Sequence, residues 1–467
     1  MSQHTGHLGT KPILGLFFGM AAPIAVGMLV HGLYNVVDAI FVTRIVGIDA
    51  MGGISIVFPI QMLVFAVMTL IGHGMASIVS RHLGAKNDEA AQATTDMALR
   101  LSLVLGIVVS AAIYFNMAAI FEFIGVSETL APYAYEYLTP LALIGFPLIF
   151  IGNLPGDILR AEGKAMIMMI SMVLSALVNI ALDAIFIYGL DMGVAGAAYG
   201  TILSQVFGIA LVMYFFLTGK THLKITLFVY KFDWQVVKNI VILGIPILIS
   251  HAGVSIFIGF TNYSLSQFAD INNDLYISAY GLIGRCVMFS ILPLIAMTIA
   301  FQTIAGYNYG AQLYGRVRQV IKVGLIACMS YGTCMSLLMI LVPKPIIGIF
   351  SNDVELINVT TSIALWVFIF FPLSNAHALI SALFQAIGKA RQAIFLSSLR
   401  IYFLMLPALI VLPALYGLDG LWWAYPMADI IAFTVVLYFL FRERRNLNRL
   451  DLGQAQPNTK DKSHELR

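Results

Sequence analysis

Long apolar stretches alternate with short polar ones along almost the whole chain. Each apolar stretch is long enough for a membrane-spanning helix, which needs about 20 residues. Breaking the chain at polar and Gly/Pro clusters therefore predicts about twelve membrane-spanning helices. Their approximate ranges are 12–42, 51–80, 92–118, 132–156, 165–190, 194–217, 239–268, 275–308, 319–342, 356–380, 390–413 and 418–441. Several exceed about 25 residues, so these helices are expected to tilt, kink or project beyond the bilayer.

The composition supports this interpretation. Of 467 residues, 60% are hydrophobic and only 10% are charged, whereas soluble domains carry roughly 25% charged residues. A soluble fold could not cover its surface with so few polar side chains. The predicted fold class is therefore an all-α polytopic membrane protein. The first apolar run is much longer than the core of a signal peptide, so we interpret it as a retained first helix.

Charge alternates between successive loops. Basic residues fall on one side: Lys11, Arg81, Lys86, Arg160, Lys164, Lys220, Lys224, Lys231, Arg316, Arg318, Lys389, Arg391, Arg442, Arg444, Arg445 and Arg449. Acidic residues fall on the other side, with only Arg44 and Lys344 among them: Glu122, Glu128, Asp191, Asp270, Asp274, Asp353, Glu355 and Asp419. Because loops rich in Lys and Arg remain cytoplasmic, both termini are predicted to be cytoplasmic, in a cell membrane and specifically a bacterial inner membrane.

The chain also repeats itself weakly at a spacing of about 224 residues. "ILRAEGKA" (158–165) resembles "LFQAIGKA" (383–390), and "AAPIAVG" (21–27) faces "GIPILIS" (244–250). Each half holds six predicted helices, so the two halves enter the membrane in the same direction, as in transporters built from parallel repeats. The predicted organisation is an N-terminal six-helix lobe, a cytoplasmic linker that can form a short amphipathic helix, a pseudo-symmetric C-terminal six-helix lobe and a disordered tail. These cover residues 1–217, 218–238, 239–442 and 443–467.

Polar residues at membrane depth are the candidate chemistry. Asp38 lies in "YNVVDAIFV" near the end of the first span, while Asn179 and Asp183 share one face of the fifth span at i and i+4. Counting roughly 1.5 Å per residue, these residues and Thr201 of the sixth span reach a similar depth. Two nearby carboxyl groups cannot both ionise without a cation between them, so the four residues are a candidate site for a proton or Na⁺. The alternative is that each acid caps a loop or hydrogen-bonds a neighbouring helix.

Three further positions carry hypotheses. Pro23 removes a helical hydrogen bond fifteen residues before Asp38, which predicts either a hinge or a static kink. In the second half, Thr261 and Tyr425 stand where the repeat places the counterparts of Asp38 and Thr201, so the acid pair is not duplicated. Arg400 and Asp429 lie near mid-depth on the last two spans. They are predicted to form a structural ion pair, with a role in substrate or proton handling as the alternative.

Motifs of several other classes are missing from the sequence. No phosphate-binding loop, zinc motif or nucleophile elbow occurs, and Cys286, Cys328 and Cys334 all lie in apolar runs. We therefore expect neither an ATP-driven pump nor a membrane enzyme, and no cofactor, disulfide framework or structural metal.

With these residues in place, the chain resembles the multidrug and toxic compound extrusion (MATE) family, and within it the DinF-like branch. The resemblance extends to about residue 442, and its most specific part is Pro23, Asp38, "NIALD" (179–183) and "GVAGAAYGT" (193–201). It implies an antiporter that exports amphipathic, often cationic drugs. The coupling ion would be H⁺ or Na⁺, held at Asp38 and Asp183, with bending of the first helix at Pro23. The expected partners are small amphipathic molecules and the lipid bilayer, with no nucleic acid, and the expected state is a monomer.

Two other functions compete with this one. A flippase for a lipid-linked precursor or polysaccharide belongs to the same broad superfamily, but such proteins often have basic cavities, whereas the deep basic residues here are only Arg285 and Arg400. A receptor-like or structural membrane protein would need neither the repeated halves nor the acid pair.

Overall fold

The computed structural model describes residues 6–268 and 273–455, which fold into helices without any β-strand. Eleven helices are long and apolar enough to cross a membrane, and a helix pair bent by 45° makes a twelfth. We number them in chain order: α1 Ile13–Val46, α2 Ile48–Gly84, α3 Asp88–Phe115, α4 Ala131–Ala161, α5 Ala165–Gly189, α6 Gly193–Leu217, α7 Trp234–Gln267, α8 Asp274–Gly310, α9 Tyr314–Leu341, α10 Val354–Phe368 with Phe371–Ala386, α11 Ala390–Tyr416 and α12 Leu418–Leu452. Short helices cover His7–Thr10, Met117–Ile124 and Pro343–Ile347.

All twelve predicted spans correspond to these helices, so the predicted fold class is confirmed. The largest difference is at the C-terminus, where the last helix continues to Ala455. The prediction of disorder from residue 443 is therefore wrong as far as Ala455. Glu443 pairs with Lys389 and Asp451 pairs with Arg318, while Leu447 is fully buried, so tertiary contacts order this polar segment. Residues 456–467 and Asp270 lie outside the described part of the chain.

The linker between the lobes does not contain the amphipathic helix that its sequence permits. Turns and irregular backbone connect Leu217 to Trp234. The reason lies in its hydrogen bonds: the buried Glu162 carboxylate accepts from the backbone N–H groups of His222 and Leu223 at 2.8–3.1 Å. Backbone groups satisfied by side chains in this way do not need a helix. The linker is thus attached along the N-terminal lobe.

The two lobes meet through equivalent helices. Helix α1 packs on α8, its counterpart α7 packs on α2, and α2 contacts α8 directly. Two glycines make the α2–α8 approach possible, because a β-carbon on Gly84 would lie 1.9 Å from the Tyr307 carbonyl oxygen and one on Gly310 would lie 2.0 Å from that of Arg81. The two contacts are related by the sequence repeat, so the interface itself is pseudo-symmetric.

These contacts lie toward one end of the molecule, which we call the basic end because it carries the loops at 84–88, 161–165, 310–314 and 386–390. There the Ser77 hydroxyl of α2 donates to the Gln385 carbonyl of α10 at 2.6 Å. Leu8, in the first short helix, is fully buried, and its carbonyl accepts from the Asn308 side chain at 3.1 Å. A continuous apolar core crosses both lobes here, so the lobes are closed against each other at the basic end.

Candidate functional site

Asp38 and Asp183 come together inside the N-terminal lobe. Their carboxyl groups are in hydrogen-bond contact. Asp183 is fully buried and Asp38 is 9% exposed. Asp38 lies eight residues before the end of α1 and Asp183 six before the end of α5, roughly 9–12 Å from the end of the molecule opposite the basic end. Two carboxyl groups in contact can share one proton or hold a cation, but they cannot both carry an unscreened charge.

A change of helix type follows each of these acids. The π-helical segment Ala184–Gly189 begins directly after Asp183, and Val42–Val46 begins four residues after Asp38. The two π-helical segments also contact each other. A π-turn shifts the register of the helix and is frequent at functional sites.

Helices α5 and α6 complete the pocket around Asp183. The Asn179 amide, one turn earlier, donates to Oδ1 of Asp183 at 3.5 Å. On α6, Gly200 leaves the space for the same oxygen, since a β-carbon there would lie 2.4 Å from it. Thr201 is the next residue and is half-buried. Among the described residues, no hydrogen bond joins the Thr201 hydroxyl to either acid, so the structure brings together three of the four predicted residues and leaves Thr201 beside them.

Three oxygen atoms of this cluster are buried without a hydrogen-bond donor in the described part of the chain: Oδ1 of Asp38, Oδ1 of Asn179 and Oδ2 of Asp183. A buried polar atom without a partner is costly, and such atoms are uncommon in folded proteins. Three such atoms on neighbouring residues leave unsatisfied acceptors that a proton or a cation can occupy. Oxygen ligands of this kind suit a hard cation.

Sequence reasoning missed several neighbours of the acids. Tyr34 on α1 and Tyr137 on α4 both lie within the electrostatic range of the two carboxyl groups, and Tyr137 lies beside the side chain of Gln61 on α2. Tyr34 lies one helical turn before Asp38 in the same stretch, so this spacing could have identified Tyr34 as a neighbour of the acid. Nothing in the local sequence around Tyr137 or Gln61 indicates that they belong to the site.

Pro23 lies within α1 and is buried. Four residues later, Gly27 allows close packing against α5, because a β-carbon there would lie 3.1 Å from the Met172 sulfur. The segment between Pro23 and Asp38 therefore runs along α5, the helix that carries Asp183. A change in the bend of α1 would alter the distance between the two acids.

The C-terminal lobe has a different cluster at the equivalent place. Thr261 is fully buried and donates to the Phe257 carbonyl of its own helix at 2.9 Å. The Tyr425 hydroxyl bonds that of Tyr280 at 3.2 Å, and the Tyr425 ring packs edge-on against Phe257. This cluster is neutral and aromatic, so among the described residues the acid pair of the N-terminal lobe has no counterpart at this place.

Arg400 and Asp429 form an ion pair between α11 and α12. Arg400 lies in the π-helical segment Leu399–Met405, and its side chain is 23% exposed against 2% for Asp429. The pair neutralises one of the two deep arginines of the C-terminal lobe.

Twelve membrane helices in two repeated lobes, with carboxyl groups buried inside one lobe, define the class of protein: a polytopic membrane transporter rather than an enzyme. The chain belongs to the MatE family, whose model matches residues 23–185 and 246–413. The two matches begin at Pro23 and Pro246, which the sequence repeat places opposite each other.

Individual relatives agree with this assignment over nearly their full length. The chain is 27% identical over 450 residues to the multidrug export protein MepA of Staphylococcus aureus, covering 95% of this chain and 97% of that protein. Among solved structures, a MOP superfamily transporter from Pyrococcus furiosus superposes with a TM-score of 0.88 at 25% identity, covering 97% and 99% of the two chains. An outward-facing multidrug resistance MATE transporter gives the same TM-score and identity, covering 96% and 99%.

Proposed function

We propose that this protein is a multidrug efflux antiporter that exchanges amphipathic, often cationic drugs for H⁺ or Na⁺ by alternating access. The observation that carries the proposal is the Asp38–Asp183 pair with its three unpaired oxygen atoms, including that of Asn179. Membership of the family and the name of the staphylococcal relative support drug export as the activity. The protein acts as a monomer without a cofactor.

The basic end is assigned to the cytoplasm, because loops rich in Lys and Arg remain on that side. Both termini are then cytoplasmic, and the end at which the two lobes are closed against each other is the cytoplasmic end. Contacts such as Ser77–Gln385 and Gly84–Tyr307 close the cytoplasmic end, so this conformation is assigned to the part of the cycle in which the cytoplasm has no access to the site. The acid pair then lies in the outer part of the N-terminal lobe, where an external cation reaches it.

Coupling follows from the charge of the pair. A proton or Na⁺ entering from outside reduces the negative charge of the carboxyl pair by one and occupies the oxygen atoms that lack partners. The added positive charge relieves the repulsion between Asp38 and Asp183 and weakens the attraction of the lobe for a cationic drug. The drug is released outside, and the loaded site favours the change that opens the cytoplasmic end. Loss of the ion there restores the charge and the affinity for the drug.

Pro23 is the proposed hinge of this cycle. The ring removes one backbone hydrogen bond from α1, so bending there costs less than elsewhere along the helix. Bending moves the Asp38 end of α1 relative to α5, which lengthens or shortens the distance between the acids. Ion binding at the acid pair and the bend of α1 are thereby linked.

Flux measurements in proteoliposomes test the proposal. Drug export is followed under an imposed pH gradient and, separately, under an imposed Na⁺ gradient, and we expect export under one of them. Asp38→Asn should abolish export with unchanged expression and thermal stability, while Glu128→Gln, an exposed loop acid, should export normally. Export under neither gradient rejects antiport, and full export by Asp38→Asn rejects the coupling role.

Pro23→Ala tests the hinge separately. We expect turnover to fall at least fivefold while the drug Kd changes by less than twofold, because the drug site keeps its residues and only the conformational step slows. Normal turnover of Pro23→Ala would show that the proline is a static kink.

The flippase alternative has less support. A basic cavity for a pyrophosphate would need free deep cations, and Arg400 is already paired with Asp429.

A further inference from the structure

A groove on the lipid-facing side of the molecule lies apart from the acid pair, where α1 of one lobe meets α8 and α9 of the other. Its volume is about 590 Å³. The α1 wall consists of Leu14, Phe18, Ala21, Ala22 and Ala25, which recur at helical spacing on one face. Small side chains on α1 make the groove deep. From Leu14 to Ala25 it is roughly 16 Å long, about the length of most of a phospholipid acyl chain.

The opposite wall is equally apolar. It is formed by Pro293 of α8 and by Ile326 and Ala327 of α9, among others. Tyr331 contributes only its ring, because its hydroxyl donates to the Ser290 carbonyl at 2.8 Å. Apart from Ser330, the side chains that line the groove thus present apolar surface, and a hydrocarbon chain is the ligand that such a wall accommodates.

Positive charge lies at one end of this groove. Lys322 precedes Ile326 by one turn on the lining face of α9, and its side chain leans toward the basic end, because helical side chains point to the N-terminus. Lys11 lies three residues before Leu14, and its carbonyl accepts from Arg316 of α9 at 2.7 Å. Both lysines are exposed. Within residues 6–268 and 273–455, neither has a carboxylate partner.

We propose that this groove binds an anionic phospholipid, with one acyl chain between α1, α8 and α9 and the phosphate headgroup between Lys11 and Lys322. Basic pockets between membrane helices at the cytoplasmic surface bind anionic headgroups, and long cationic side chains reach the interface from such depths. The lipid contacts both lobes while the basic end is closed. It therefore stabilises the conformation seen here, independently of which ion the acid pair binds.

Photo-cross-linking in nanodiscs tests this site. Phosphatidylglycerol and phosphatidylcholine carry the same diazirine-labelled acyl chain, and labelled residues are mapped by mass spectrometry. We expect phosphatidylglycerol to label residues 14–25 and 323–330 at least threefold more than phosphatidylcholine does. The K11Q/K322Q double variant should reduce labelling by phosphatidylglycerol to the level of phosphatidylcholine. K231Q/K238Q, which removes two exposed lysines outside the groove, should leave it unchanged.

Ala22→Trp provides a second test, because Ala22 is exposed and lines the groove, where an indole would occupy the space of the acyl chain. Labelling should disappear in this variant while its thermal stability in detergent remains that of the wild type. Equal labelling by the two lipids would show bulk lipid only and would overturn the proposal. The proposal would also be overturned if K11Q/K322Q left labelling by phosphatidylglycerol unchanged. If an exported drug competed with the labelling, the groove would be a substrate site and the proposal would again be wrong.

Discussion

A β-carbon on Gly200 would lie 2.4 Å from Oδ1 of Asp183. Position 200 of α6 must therefore be glycine, because any larger residue would occupy the space of the Asp183 carboxyl group. Gly200→Ala should displace the carboxyl group from its contact with Asp38, at an overpacking cost of about 1–3 kcal/mol. We expect the concentration of coupling ion needed for half-maximal export to rise at least tenfold.

The matched control is Gly259→Ala, since a β-carbon at Gly259 meets no heavy atom within 4 Å. It should export like the wild type. If Gly200→Ala also shows wild-type ion dependence, then Asp183 has a freedom of movement that the packing does not indicate, and its proposed position in the site is wrong.

The α2–α8 contact leads to a second prediction. A side chain on Gly84 meets the Tyr307 carbonyl, and backbone cannot move aside as a flexible side chain does. Gly84→Val should prevent the basic end from closing. A cysteine placed at Ser80, which is buried against Gly306, should then react with a maleimide at least tenfold faster. The measurement uses a background in which the exposed Cys334 is replaced by serine.

Gly156→Val controls for the added bulk, because a β-carbon at Gly156 has open space around it. Its Ser80→Cys derivative should react as slowly as the parent. Slow reaction of the Gly84→Val derivative as well would mean that the lobes close without this contact.

The proximity of Asp38 and Asp183 could be predicted from the sequence because the rise of a helix is fixed, so counting residues gives the distance of each acid from the end of its span. Counting does not determine which side chains face each other across helices. Tyr137 and Gln61 come from α4 and α2, and their proximity depends on lobe packing. Thr201 illustrates the same limit, since it has the expected depth but no hydrogen bond to the acids.

Other differences have local causes. The π-helical segments Val42–Val46 and Ala184–Gly189 leave no signature in apolar periodicity, because each is only five or six residues long and adds less than one residue to a helical turn. The linker and the end of α12 are both polar. Composition alone predicts an interfacial helix for the linker and disorder for the end of α12. Partners far away in sequence, Glu162 for the linker and Lys389 for Glu443, decide the actual outcome.

The attachment of the linker gives a third prediction. Glu162 accepts hydrogen bonds from the backbone at His222 and Leu223 and also pairs with Lys164 at 2.6 Å. Glu162→Ala removes all of these acceptors at once, so the linker should detach from the N-terminal lobe. Trypsin should cleave after Lys220 and Lys224 at least tenfold faster than in the wild type, with fragments identified by mass spectrometry.

Glu128→Ala serves as the control, because Glu128 is exposed in a loop at the other end of the molecule. It should leave cleavage unchanged. If Glu162→Ala is cleaved at the wild-type rate, other contacts such as Gln92 with Lys224 hold the linker.

The Arg400–Asp429 pair gives the last prediction, which separates a structural role from a role in transport. Removing one member of a buried ion pair leaves an uncompensated charge and typically costs about 3–5 kcal/mol, whereas replacing both with apolar residues of similar volume is often neutral. Arg400→Met and Asp429→Leu should each lower the thermal stability in detergent, and the double variant should regain most of it. Because the acidic site lies in the other lobe, we expect the double variant to export drug at no less than half the wild-type rate. If the double variant is stable but does not export drug, the Arg400–Asp429 pair takes part in transport. The ion pair would then be a functional group beside the neutral cluster around Tyr280 and Tyr425.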